Sequence, residues 1–168
     1  MLPKINKILY CTDLSKNAVF AFRYAVYLAQ QTGASIHILS VIEHLPSDER
    51  LTLQSYIYNQ SGSAEFLQQR LSQAQADLQQ RLEDFWLTLP VEDQGLAQRI
   101  VSCDVIEGHP TQTILERAET LNCDMIVMGG HEKGWLQALL GSVAREVLRD
   151  SRIPTLIVPQ PKESVPQR

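Results

Sequence analysis

The residues best placed to do chemistry run Asp124-Met125-Ile126-Val127-Met128-Gly129-Gly130-His131-Glu132-Lys133-Gly134, with Gly141-Ser142 seven residues further on. A short apolar run ends in paired glycines, a polar loop follows, and a glycine and a serine open an amphipathic segment. This pattern suits phosphate. Glycines let backbone approach an anion closely, and the free N–H groups of a helix start point at it. A second polar stop, Asp13-Leu14-Ser15, follows the first apolar run near the N-terminus.

Both loops need elements to hold them. Residues 7–12 are β-prone without helical spacing and read as a buried parallel strand. Ser15 is a good N-cap for a helix whose apolar stripe runs Ala18, Ala21, Phe22, Ala25, Leu28 and Ala29 and which stops at Gly33. Residues 35–42 form a second strand, in which His37 reads as a satisfied, partly buried histidine rather than a ligand. Segment 43–63 mixes Pro46, Asn59 and Gly62 with Leu51, Leu53, Tyr56 and Tyr58. It reads as an insertion loop with a short helix, either an interface or plain surface. A long helix is expected over 64–87, with Leu67, Leu71, Ala74, Leu78, Leu82 and Phe85 on one face. That face suits a sheet, and a coiled-coil seam is the alternative.

Residues 90–95 read as a turn and 98–105 as the third strand. Gly108-His109-Pro110 then breaks the chain, Pro110 and Thr111 open a helix, and His109 is expected in exposed loop. The fourth strand is 124–128. Leu136, Leu139, Leu140, Val143, Ala144, Val147 and Leu148 are expected on the inner face of the last helix, which Gly141-Ser142 interrupts. Strand 154–158 closes the fold, and 161–168 is expected to be a disordered tail after a domain of 1–160. Alternating strands and helices argue an α/β, doubly wound, mostly parallel sheet with helices on both faces. Such sheets bind ligands at strand C-termini where the strand order reverses, and both polar loops would lie there.

Composition narrows the function. With 168 residues the chain is one domain with a proper core. A net charge of -4 supplies no basic face for nucleic acid. No apolar stretch approaches the roughly 20 residues that span a bilayer. The N-terminus has no signal-like apolar core, so a cytoplasmic location is expected. Cys11, Cys103 and Cys123 lack metal spacing and read as buried reduced thiols.

The ordered set of features resembles the universal stress protein family. The matching residues are Asp13-Leu14-Ser15, Ser40-Val41-Ile42, Gly108-His109-Pro110, the run from Cys123 to His131, Leu139 to Leu148, and Ile153 to Pro159. The resemblance implies a five-stranded parallel sheet of order 3-2-1-4-5 and a homodimer paired through the last strand, 154–158. It implies an ATP-binding stress-response or regulatory protein that is not an efficient enzyme, with slow ATPase activity at most. On the family pattern, Asp13 meets the ribose or adenine end and the backbone of Val41 meets adenine. The motif Gly-x2-Gly-x9-Gly-Ser/Thr wraps the phosphates, with Mg²⁺ as a companion. The residues carried over are Thr12, Asp13, Val41, Gly129, Gly130, His131, Gly141, Ser142 and Val143; no residue is assigned a catalytic role.

The chain departs from that motif. The middle glycine position falls on Glu132, and eight residues rather than nine separate it from Gly141. A left-handed backbone there would cost a non-glycine residue about 1–2 kcal/mol. Its carboxylate beside a phosphate would add about 1–4 kcal/mol of repulsion at about 4 Å. Together these would weaken binding by about one to four decades. Gly130, Gly134, Lys133 or Mg²⁺ could compensate for this. Family members without the motif do not bind ATP, so a dimerisation or interaction module without nucleotide stands as the other expectation.

Overall fold

The computed structural model describes residues 1–15, 18–44, 60–130 and 140–161, with backbone alone at 60–63. The expectations for His131 to Leu139, for the insertion over 45–59 and for the tail over 162–168 lie outside the described residues.

Five strands form one parallel sheet: β1 Lys7–Cys11, β2 Ser35–Ile42, β3 Ile100–Glu107, β4 Met125–Gly129 and β5 Thr155–Val158. Their order is β3-β2-β1-β4-β5, as the resemblance implied. Among the described residues four α-helices accompany them: α1 Ala18–Thr32, α2 Gln60–Thr88, α3 Pro110–Thr120 and α4 Ser142–Asp150. Among the described residues, no helix is long and apolar enough to cross a membrane.

The apolar runs of the strands follow from burial on both faces. Along β1, Ile8 and Tyr10 enter one core while Leu9 and Cys11 enter the other, the two-residue alternation of an extended chain. The first core joins Ile36, Ile38 and Val127 to Phe22 and Val26 of α1 and to Leu78, Leu82 and Phe85 of α2. Phe22 is its hub, 4.9 Å from the Tyr10 ring and 4.6 Å from Phe85 between centroids. The second core joins Leu39, Ile126 and Met128 to Ile114 and Ala118 of α3 and to Ala144 and Val147 of α4. The α2 stripe at Ala74, Leu78, Leu82 and Phe85 is therefore sheet-facing, not a coiled-coil seam.

Several boundaries differ from the sequence reading. Helix α2 begins at Gln60, so the last four residues assigned to the insertion loop are helical. The expected turn at 90–95 is a 3-10 helix, Val91–Arg99, which takes Gln98 and Arg99 out of β3. One tertiary bond and one local bond account for it. Arg99 Nη1 donates to the Gly33 carbonyl at 2.8 Å, and Asp93 N–H bonds to the Pro90 carbonyl at 2.9 Å. Pro154 precedes β5, although its carbonyl still accepts the Ile126 N–H at 2.9 Å. The inner face of the last helix is narrower than expected. Leu140 is 39% and Leu148 42% exposed, because a helix starting at Ser142 turns Ala144 and Val147 inward. Cys103 is half-buried, whereas Cys11 and Cys123 are buried.

Candidate functional site

The chain leaves β1 through two side-chain acceptors. Thr12 is almost fully buried, its N–H bonds to the Leu39 carbonyl at 3.0 Å, and its Oγ1 accepts the Leu14 N–H at 3.1 Å. Asp13 is exposed, and its Oδ1 accepts the Ser15 N–H at 2.9 Å. Between them Leu14 adopts φ +62°, a left-handed conformation that costs a non-glycine residue about 1–2 kcal/mol. The turn therefore holds the Asp13 carboxylate at the strand's C-terminal end. Burial pushes the adjacent Cys11 thiol far up, with Cys123 adding to the shift, so Cys11 stays protonated.

At the end of β4, Gly130 N–H bonds to the Val158 carbonyl at 2.9 Å. A Cβ on Gly129 would meet nothing within 4 Å, while one on Gly130 would lie 3.2 Å from Ile157 Cγ2. Gly129 thus leaves open space, whereas Gly130 is packed. Gly141 caps α4 with φ −56° and ψ 157° and offers no side-chain acceptor. The Arg145 N–H returns to the Gly141 carbonyl at 3.0 Å, so the N–H groups before it belong to the unsatisfied first turn. Ser142 adds an exposed hydroxyl. The start of α3 is closed differently. His109 is exposed, as expected of loop, but acts as N-cap, its Nδ1 receiving a long 3.5 Å contact from Gln112 N–H.

These pieces surround one cavity of about 280 Å³ at the C-terminal ends of the strands, where β1 and β4 diverge. Eight of the nine sequence-predicted residues line it: Thr12, Asp13, Val41, Gly129, Gly130, Gly141, Ser142 and Val143. His131 lies outside the described residues. Leu39, Ile114, Met128 and Val158 also line the cavity and supply apolar wall. Glu43 was not predicted, although it follows Val41 by two residues and two-residue spacing returns a strand to the same face. Among the described lining residues, Asp13 and Glu43 are the charged side chains, and both are acidic. Among the described residues no three His, Cys, Asp or Glu side chains group as a metal site. The other histidine of the sheet, His37, places Nδ1 2.7 Å from Ser102 Oγ, on β3 rather than in the cavity.

Neutral backbone donors, apolar wall and a carboxylate around one cavity suit a ligand with an anionic head and a hydroxylated body. Residues 4–159 match the model of the universal stress protein family. The chain belongs to that family. Universal stress protein MJ0531 of Methanocaldococcus jannaschii is 28% identical over 159 residues, covering 94% of this chain and 84% of its own. The solved structure of MJ0577, from the same organism, superposes with a TM-score of 0.67 at 25% identity, covering 95% of this chain and 99% of that one. A universal stress protein solved in complex with cAMP shares the fold, with a TM-score of 0.56 at 20% identity, covering 93% of this chain and 98% of its own. In this universal stress protein, eight of the residues singled out from the sequence line one cavity, and Glu43 adds a further carboxylate to its wall.

Proposed function

We propose that this universal stress protein binds ATP in the cavity between β1, β4 and α4 and acts as a dimeric regulatory protein in the stress response. The observation that carries the reading is the pairing of open space at Gly129 with a first turn of α4 that has no side-chain cap. A Cβ-free approach and aligned N–H groups are what a phosphate chain requires. The apolar wall from Leu39 to Ile114 suits a base, and Asp13 suits ribose hydroxyls. The cAMP complex of a relative supports an adenine nucleotide in this fold. About 280 Å³ lies near the lower end of ligand pockets, about 300–1,000 Å³.

The reading assigns binding rather than turnover. Backbone N–H groups hold an anion without exchanging protons, so hydrolysis is expected to be slow. Mg²⁺ would offset the charges of Asp13 and Glu43 facing a polyphosphate. The dimer is assigned to β5, the edge strand of the sheet, since an edge strand is a template for pairing with a second chain. One feature favours the alternative of a family member without nucleotide. The charged side chains among the described lining residues are both acidic. Equilibrium dialysis with ATP and Mg²⁺ separates the two readings. Saturable binding is expected, and none up to millimolar ATP overturns the assignment.

A further inference from the structure

The buried hydroxyl of Thr111 has a partner that no ligand contact explains. Thr111 is 5% exposed, and its Oγ1 donates to Glu146 Oε2 at 2.7 Å. The two residues tie the first turn of α3 to the second turn of α4. Pro110, beside Thr111, lines the cavity. Glu146 follows Ser142 by one helical turn, on the same face. Helix α4 is nine residues long and sets only Ala144 and Val147 fully into the core. With Val143 packed partly against the same core, these apolar anchors are non-directional and leave a short helix some freedom to roll about its axis. A charge-assisted bond is stronger than a neutral one and directional, so it removes that freedom.

We infer that the Thr111–Glu146 hydrogen bond is a positioning contact that aims the first-turn N–H groups of α4 at the ligand's phosphates. This rests on the phosphate reading of the cavity. The bond also engages an oxygen of Glu146, a carboxylate one turn from the anion site. Without the Thr111 hydroxyl that carboxylate is free to reorient toward the phosphates, so loss of the bond both misaims donors and adds repulsion. On the proposed reading both effects act on the phosphates and not on the nucleoside, which is assigned to Asp13 and Val41.

The test compares ATP with adenosine on the full chain. Thr111→Val keeps the side chain's shape and removes the hydroxyl. It is expected to weaken ATP about tenfold, about 1.4 kcal/mol, and adenosine less than about twofold. Thr111→Ser restores ATP affinity. Thr111→Val made on a Glu146→Ala background adds no further loss. Equal losses for both ligands, unchanged ATP affinity, or a loss that persists on the Glu146→Ala background overturns the inference. A wild-type protein that binds neither ligand sinks the reading of the cavity instead. Amide exchange in the free protein decides the tie in either case. Faster exchange at Arg145 to Val147 in Thr111→Val supports it, and unchanged exchange overturns it.

Discussion

Gly129 and Gly130 are neighbours with opposite reasons for being glycine. Among the described glycines only Gly33 has a left-handed φ, +77°, so neither of the pair is needed for backbone freedom. Gly130 is constrained by packing, because a methyl group would press on Ile157 Cγ2 at 3.2 Å. A Cβ on Gly129 meets nothing within 4 Å among the described residues. Gly130→Ala is therefore expected to lower stability by about 1–3 kcal/mol, as overpacking does, read from the denaturant midpoint. Gly129→Ala is expected to leave stability within about 0.5 kcal/mol while ATP affinity falls, because its methyl group occupies the approach to the phosphates. Equal stability losses in the two variants would contradict this division. The sequence made both glycines visible but not how they differ, since that depends on Ile157 on the neighbouring strand. The left-handed Leu14 was not legible at all: leucine has no preference for that conformation, and the Thr12 and Asp13 acceptors impose it. Glu43 was legible through its two-residue step from Val41, but only once β2 was known to deliver Val41 to the cavity.

At the level of elements, the two-faced sheet was readable because each strand carries its burial in its own composition, while the strand order came from the family resemblance. Boundaries set by distant partners were not readable. The start of β3 moved because Arg99 bonds to the end of α1, and the inner face of α4 narrowed because its first residue is Ser142. The pairing of β2 with β3 also carries a charge that sequence could only place. His37 sits beside Ser102, and its pKa lies below the usual 6.5, first through burial and then through the Lys7 and Arg117 charges, partly opposed by Asp104. A histidine depressed in the folded state binds its proton more readily when unfolded. Its contribution to stability is therefore fully present above the unfolded pKa, about 6.5, and is lost as pH falls toward the folded value. Urea unfolding at about pH 7.5 and about pH 5.5 is expected to show a larger acid-side loss for the wild type than for His37→Gln. An identical loss in both would remove His37 as the cause.

The whole molecule holds its site by topology, with β1 supplying Asp13, β2 Val41 and Glu43, β4 the glycines and α4 its first turn. Among these described elements only β4 and α4 follow one another in the chain, so an unfolded chain keeps no more than a fragment of the constellation. That is why the family was legible in the ordered set of motifs, while the ligand hung on Glu132, whose neighbours in space sequence cannot name. The same dispersion makes binding a global stabiliser. A ligand held only by the folded state at about 100 times its Kd adds about 2.7 kcal/mol. For a domain of this size each kcal/mol raises Tm by about 2–4 °C, so saturating ATP with Mg²⁺ is expected to raise Tm by about 5–10 °C. The rise depends on the ratio of concentration to Kd, so ATP and adenosine at one fixed concentration rank their affinities directly. The proposed function puts the donors at Gly141 and Ser142 on phosphate, so ATP is expected to give the larger shift. A Tm unmoved by millimolar ATP with Mg²⁺ would mean that the folded cavity has no preference for nucleotide over water, and the family reading without nucleotide would stand in its place.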